Sequence, residues 1–159
     1  MTTLLLVDDD LEIIRSLGNA FTTLIRGYLV LTATTANQGL NFIKSQKPEV
    51  IIMDVRLGPV SGMDLLEDYP KHTKDYNPRV IVITAYEDER ARKKAEELKV
   101  DAYLKKPFDK KEFIRAVLQS LKKYHDSQSR SLDLLLKGSG STDDDIKKTR
   151  EGLDEKKKD

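Results

Sequence analysis

The sequence contains no cysteine and no tryptophan, and only two of its 159 residues are histidines. The missing cysteines exclude both a disulfide-stabilised fold and a cysteine-rich metal site. With His72 and His125 as the only imidazoles, a site for a soft metal such as zinc or copper has little support. A chain without disulfides fits a reducing compartment, and we therefore expect a cytoplasmic protein.

The chain also lacks an excess of charge and a long apolar run. Lysine and arginine number 28 and aspartate and glutamate 27, so the formal charge is +1. Nucleic-acid-binding domains usually carry a basic face, and we expect no nucleic-acid partner. The apolar run 4–7 ends at acidic residues and has no basic segment before it. A bilayer span needs about 20 apolar residues, so we expect no membrane partner and no targeting segment.

Five short apolar runs alternate with helix-like segments along the first three quarters of the chain. The runs 50–53 and 80–83 are apolar without alternation, which is typical of parallel strands covered on both faces. Large apolar residues recur every three or four positions in 11–24 and 113–121, which predicts amphipathic helices. The alternation predicts an α/β fold, a doubly wound parallel sheet of five strands. The five runs are 4–7, 28–32, 50–53, 80–83 and 102–104.

The composition changes after Leu121, and we predict a domain over 1–123 followed by a charged, Ser/Gly-containing tail over 124–159. Segment 138–141 has a flexible linker composition. Segment 142–158 begins with a capping threonine and acidic residues and ends with lysines, which favours a frayed helix. For the leucine-rich segment 131–137, docking on the domain, partner binding and disorder remain equally open.

Reactive side chains follow four of the five predicted strands. Doubly wound sheets bind ligands at the carboxyl ends of their strands, so we expect these side chains to meet. Close carboxylates repel one another, and an all-oxygen site of this kind suits Mg²⁺. With Mg²⁺ and a lysine to neutralise charge, a carboxylate can accept a phosphoryl group. The side chains are Asp8, Asp9 and Asp10, then Asp54, then Thr84, then Lys105 and Lys106.

Each motif has a simpler interpretation when taken alone. Asp8 to Asp10 would most often be an acidic loop that caps a helix starting near Leu11. Thr84 would be a β-branched residue in a strand, and Tyr103 half-buried packing. The mixed charges of 87–99 would be a solvated helix face. Only their joint occurrence at strand ends favours chemistry.

The ordered set of motifs resembles the receiver domains of two-component response regulators over about residues 3–122. Each motif alone is weak, but four in order at predicted strand ends are specific. The resemblance implies a flavodoxin-like fold with strand order 2-1-3-4-5. The motifs are Leu-Leu-Leu-Val-Asp8-Asp9, Ile-Ile-Met-Asp54 with Gly62 eight positions later, Ile-Thr84-Ala85, and Tyr103-Leu-Lys-Lys106-Pro107-Phe108.

The family's functional roles carry over to matching positions. The resemblance implies that Asp54 accepts the phosphoryl group and that Lys106 pairs with it. Mg²⁺ would be held by Asp9, Asp54 and the backbone carbonyl of Arg56, and by Asp8 through water. Thr84 and Tyr103 would form the switch, and the Lys106–Pro107 peptide bond would be cis.

Two departures from the family pattern concern the surroundings of Asp54. The family often has Met-Pro soon after the phosphoacceptor, whereas Leu57-Gly58-Pro59 delays the proline by one position. The variable positions two residues after Asp54 and Thr84 hold the large residues Arg56 and Tyr86. We expect these two residues to shield a phosphoryl group from water and lengthen its lifetime.

Two other functions share parts of this pattern. Haloacid-dehalogenase-type phosphatases also use a nucleophilic aspartate, but they need a second aspartate two positions later, where this chain has Arg56. A pseudo-receiver that only binds is disfavoured because every chemical position is filled. We therefore expect a phosphoacceptor switch rather than an enzyme acting on an external substrate.

The resemblance also implies partners. A histidine kinase or histidine phosphotransfer protein would supply the phosphoryl group, and the surface of the fourth helix, fifth strand and fifth helix would contact a downstream protein. About 37 residues after the domain leave no room for a folded DNA-binding output, so we expect output through protein contacts. We expect a monomer or a phosphorylation-dependent dimer, and a fragment of a longer regulator remains an alternative.

Overall fold

The computed structural model describes residues 2–24, 27–57, 60–85 and 89–138, with only the backbone described at 22, 24, 60, 61 and 133–138. Strands and helices alternate along the chain, as the apolar periodicity predicts. The strands are β1 (Thr2–Val7), β2 (Tyr28–Ala33), β3 (Val50–Asp54), β4 (Arg56–Leu57), β5 (Val60–Ser61), β6 (Arg79–Thr84) and β7 (Ala102–Lys105). The α-helices are α1 (Leu11–Leu24), α2 (Ala36–Gln46), α3 (Gly62–Asp68), α4 (Glu89–Glu97) and α5 (Lys110–Gly138), and a 3₁₀ turn covers Tyr69–His72.

Five parallel strands form the central sheet in the order β2-β1-β3-β6-β7. The predicted fold class and the order 2-1-3-4-5 are confirmed when the short strands β4 and β5 are left out of the count. The register aligns Val7 with Met53, Asp54 with Ile83, and Thr84 with Lys105. The carboxyl ends of four strands are therefore level with one another along one edge of the sheet.

Alternate residues of the strands pack into two separate cores, one on each face of the sheet. Leu5 and Met53 belong to the core beneath α2, α3 and α4. Leu4 and Ile52 belong to the core beneath α1 and α5, where the rings of Phe21 and Phe113 meet edge to face with centroids 5.6 Å apart. Burial on both faces explains why the central strands are apolar at every position.

A small antiparallel hairpin, β4 with β5, follows the third strand directly. Arg56 is aligned with Ser61 and Leu57 with Val60. Leu57 is 5% exposed and joins the core beneath α3. The sequence pattern did not predict this hairpin, because strands of two residues are too short to show a period.

Helix α5 is longer than the sequence pattern predicts. It runs from Lys110 to Gly138, through the predicted domain boundary at residue 123. The carbonyl of Lys123 accepts a hydrogen bond from Arg79 Nη2 at 3.2 Å, and Tyr124 is only 9% exposed. These contacts tie the helix to the amino-terminal edge of the sheet at the point where composition suggested a break. The division into domain and tail stays a prediction, and the predicted helix over 142–158 lies outside the described residues.

No helix in the described part of the chain combines the length and the apolar composition needed to cross a membrane.

Candidate functional site

The carboxyl-terminal edge of the sheet gathers the polar side chains that the sequence singled out. Asp8 follows β1, Asp54 ends β3, Thr84 ends β6, and Lys106 follows β7. Asp8 and Thr84 are fully buried, and Asp54 is 4% exposed. Parallel strands with level ends bring together residues that are up to 98 positions apart in sequence.

Three carboxylates form an acidic cluster at this edge. Asp8, Asp9 and Asp54 each offer an oxygen, and these oxygens lie within 4.8 Å of one another. Asp9 is exposed, whereas the other two are buried. Three hard oxygen donors, one of them open to solvent, fit a partly hydrated divalent cation such as Mg²⁺.

Asp10 has a different role from its two neighbours. Its Oδ1 accepts hydrogen bonds from the backbone N–H groups of Glu12 at 2.8 Å and Ile13 at 3.3 Å. It is therefore the N-cap of α1. Both interpretations of the three successive aspartates therefore apply in part. Asp10 caps a helix, while Asp8 and Asp9 belong to the acidic cluster.

Lys106 bridges the two buried carboxylates. Its Nζ donates to Asp8 Oδ2 at 2.7 Å and to Asp54 Oδ2 at 2.6 Å. Burial disfavours the ammonium ion, but the bonds to Asp54 and Asp8 outweigh this effect and raise the pKa of Lys106. Lys106 is therefore a fixed positive charge within hydrogen-bonding distance of Asp54.

Burial has the dominant effect on Asp8. It raises the pKa of the Asp8 carboxyl, and the hydrogen bonds from Lys106 and from the backbone of Asp10 offset it only in part. The nearby Asp54 carboxylate adds to the increase in pKa. When all three carboxylates of the cluster are ionised, the single ammonium of Lys106 does not balance their charge, and this condition favours a bound cation.

The backbone around Asp54 is closely constrained. The N–H of Arg56 donates to Asp54 Oδ1 at 2.8 Å, and the N–H of Val55 donates to the carbonyl of Ile83 at 3.3 Å. Gly62 lies so close that a Cβ there would be 2.3 Å from the carbonyl oxygen of Asp54. The glycine eight positions after Asp54 is needed because α3 starts against the backbone of the strand end.

The predicted switch residues lie beside this cluster. The carbonyl of Thr84 accepts a hydrogen bond from the N–H of Lys106 at 2.8 Å. Tyr103 is half-buried and packs against the core beneath α2, α3 and α4. The Lys106–Pro107 peptide bond is cis, as the resemblance implied.

The side chains of the remaining predicted residues are not part of the acidic cluster in the described structure. The side chain of Arg56 is exposed, and so is Lys105. Tyr86 lies outside the described residues. The sequence interpretation missed the hairpin that follows Asp54, and the delayed proline was the only signal of an altered loop.

The family model of the response regulator receiver domain matches residues 4–118. The chain belongs to this family. Receiver domains are the phosphoacceptor switches of two-component systems, and they interact with kinases or phosphotransfer proteins.

Curated relatives match the receiver and leave much of their own length unmatched. The acid tolerance regulatory protein ActR of Sinorhizobium medicae is 34% identical over 116 residues, which cover 73% of this chain and 58% of ActR. The transcriptional regulatory protein KdpE of Mycobacterium tuberculosis is 34% identical over 114 residues, which cover 72% of this chain and 48% of KdpE. The chain therefore spans about half the length of these relatives.

Solved structures match the receiver over nearly their whole length. A CheY-like response regulator receiver domain protein from Methanospirillum hungatei is 25% identical with a TM-score of 0.72, covering 80% of this chain and 98% of that one. The non-phosphorylated HemR receiver domain from Leptospira biflexa is 27% identical with a TM-score of 0.67, covering 76% of this chain and 94% of that one.

Proposed function

We propose that this receiver accepts a phosphoryl group on Asp54 and that the phosphorylated form changes its protein partners. The observation that carries the proposal is the position of the Asp54 carboxylate, which is buried, lies within 4.8 Å of the carboxylate oxygens of Asp8 and Asp9, and is 2.6 Å from the Lys106 ammonium. A carboxylate oxygen of Asp54 attacks phosphorus and the bond from phosphorus to the donor breaks. The leaving group, a histidine imidazole or an acetate ion, keeps the electron pair.

Asp8, Asp9 and Asp54 are the side chains that would hold Mg²⁺, together with the backbone carbonyl of Arg56. When bound, the cation would neutralise charge on the transferring phosphoryl oxygens. The fit rests on the cluster of three carboxylate oxygen donors within 4.8 Å of one another.

Lys106 supplies the second positive charge. Because its ammonium already contacts Asp54 Oδ2, a phosphoryl group on that carboxylate would stay within reach of Nζ. The hydroxyl of Thr84, at the end of the neighbouring strand, would donate to another phosphoryl oxygen. Tyr103 would then follow Thr84 from an outward to an inward position, which changes the surface formed by α4, β7 and α5.

The proposal is tested by NMR spectroscopy of ¹⁵N-labelled protein with Mg²⁺ and beryllofluoride, a phosphoryl mimic. In the wild type we expect large shifts of the amide signals of Thr84, Tyr103 and Lys106. Asp54→Asn should abolish them, whereas Asp75→Asn, which changes an exposed aspartate far from the cluster in sequence, should keep them. Equal spectra for the wild type and Asp54→Asn would refute the proposal.

Arg56 and Tyr86 are proposed to set the lifetime of the phosphoryl group. Arg56 is exposed two residues after Asp54, where a long side chain can hinder the approach of water. In the double variant with Arg56→Ala and Tyr86→Ala, loss of phosphate should be several times faster than in the wild type. Equal lifetimes in a ³²P release assay would contradict this role.

We expect no turnover of an external substrate, and the filled acidic cluster and Lys106 argue against a purely binding pseudo-receiver. The phosphoryl donor would be a histidine kinase or a histidine phosphotransfer protein. We infer that the phosphorylated receiver acts through protein contacts, as a monomer or as a phosphorylation-dependent dimer.

The length of the relatives favours a second candidate for the output. Since the chain covers 58% of ActR and 48% of KdpE, it is also compatible with the receiver portion of a longer regulator. Detection of the endogenous protein by immunoblot distinguishes the two, because a longer regulator migrates well above 18.1 kDa.

A further inference from the structure

A polar cavity lies at the end of the sheet opposite to Asp54. It is formed by the 3₁₀ turn Tyr69–His72, the loop that follows it, the start of β6 and the loop between α4 and β7. Its volume is about 370 Å³, which is in the range of small-molecule sites. Strand β6 has six residues, so the cavity is separated from Thr84 by about 17 Å.

Arg79 contributes a guanidinium group to the lining of the cavity. The Arg79 side chain is only 23% exposed, yet its one described hydrogen bond is the donation from Nη2 to the carbonyl of Lys123. Its Nη1 lies 3.8 Å from Asp101 Oδ1, beyond hydrogen-bond distance, and its buried Nε has no acceptor among the described residues. A guanidinium carries five N–H donors, so this one has unused capacity.

The charge of the lining is positive. Lys74, Arg79 and Lys99 line the cavity, and Asp101 is the only carboxylate among the described residues that line it. Asp101 is already engaged, because its Oδ2 accepts from the N–H of Val80 at 3.1 Å and Lys123 Nζ lies 3.7 Å from its Oδ1. The cavity therefore has cationic groups that its own carboxylate does not neutralise.

Neutral donors add to these cations. Tyr69 and Thr73 line the same cavity and are both buried. Burial, with a smaller effect of Asp101, raises the pKa of Tyr69 to about 12, so its phenol keeps its proton at neutral pH. The phenol and the Thr73 hydroxyl are thus available as donors to an acceptor in the cavity.

We propose that this cavity binds a small oxyanion, that is, a metabolite bearing a phosphate or carboxylate group. The lysines at 74 and 99 would attract the anion, and the hydroxyl groups would hydrogen-bond its oxygens. Arg79 also donates a hydrogen bond to the carbonyl of Lys123. An anion that attracts the guanidinium would therefore weaken this contact between Arg79 and α5. The inference is independent of phosphorylation at Asp54.

The test is a titration of ¹⁵N-labelled protein with inorganic phosphate and, separately, with citrate. We expect saturable amide shifts confined to residues 73–79 and 98–101, with a smaller shift at Lys123. Saturation by phosphate alone or by citrate alone supports the proposal and identifies the preferred anion.

A double variant that reverses the charge of two lining lysines tests their part in binding. The change Lys74→Glu with Lys99→Glu should weaken binding by about tenfold or more, because two attractive charges become repulsive. The matched pair Lys44→Glu with Lys122→Glu, at exposed positions outside the cavity, should leave binding unchanged. The absence of saturable shifts in 73–79 and 98–101, or equal weakening by both pairs, would overturn the proposal.

Discussion

Asp8 is a fully buried carboxylate whose pKa is raised by burial. In the unfolded chain it loses its proton near pH 3.8, whereas in the folded protein it keeps the proton to a higher pH. The free energy of unfolding therefore falls as the pH rises through the interval above 3.8, and ionised Asp8 destabilises the fold at neutral pH.

Replacement of Asp8 by asparagine should remove this cost. We expect Asp8→Asn to be about 1 kcal/mol more stable than the wild type at pH 7 without divalent cations, and the gain should shrink toward pH 4. Urea unfolding in the presence of a chelator measures this difference. Asp9→Asn, at an exposed position, is the control with little change. A variant less stable than the wild type at pH 7 would contradict the assignment.

Gly62 lies against the backbone of the strand end that carries Asp54. In Gly62→Ala the new methyl group would meet the backbone of Asp54 and Val55, at 2.3 and 2.8 Å, and neither can move without distorting the strand end. We expect a loss of about 3 kcal/mol in the free energy of unfolding. Gly18→Ala is the matched control, because a Cβ there has no atom within 4 Å, and a helix interior gains about 1 kcal/mol from alanine. Equal stability of the two variants in denaturant unfolding would refute this reasoning.

At the scale of elements, the start of α2 depends on one hydroxyl. Thr35 is the N-cap, and its side chain accepts from the N–H of Gln38 at 3.2 Å. Thr35→Ala should lower the free energy of unfolding by about 1 kcal/mol, whereas Thr35→Ser should retain most of it. Thermal unfolding followed by circular dichroism compares the variants. If serine proved as harmful as alanine, the hydroxyl would not be the stabilising group.

The elements that the sequence predicted are those with their own periodicity. Runs such as Val50–Asp54 and Arg79–Thr84 are long enough to show that both faces are buried. The hairpin of β4 and β5 has two residues in each strand and leaves no such pattern. Where α5 continues past Lys123 it contacts Arg79, 44 positions earlier, and local composition contains no signal of that contact.

In the site, too, residues that follow a local sequence pattern were predictable, and features that depend on three-dimensional contacts were not. Asp8, Asp54, Thr84 and Lys106 were foreseeable because each lies at or just after the carboxyl end of a strand, and parallel strands end at one edge. The separate role of Asp10 was not foreseeable, since three successive aspartates look alike until the start of α1 fixes which of them is the cap. The buried Nε of Arg79, which has no acceptor among the described residues, also becomes visible only when its neighbours in space are known.

At the scale of the whole molecule, the fold separates two regions of opposite character. Carboxylates cluster at the carboxyl-terminal edge of the sheet, while cationic and hydroxyl groups line the cavity at the amino-terminal edge. The near-zero formal charge of +1 hides this arrangement. Net charge alone therefore could not locate either site.

Phosphorylation of Asp54 can be measured by intact-protein mass spectrometry after incubation with acetyl phosphate and Mg²⁺. We expect the wild type to gain the mass of one phosphoryl group. Asp54→Asn should gain none, and a chelator should prevent the gain. A wild type that stays unmodified, or an Asp54→Asn variant modified to the same extent, would contradict the proposal that Asp54 is the phosphoacceptor.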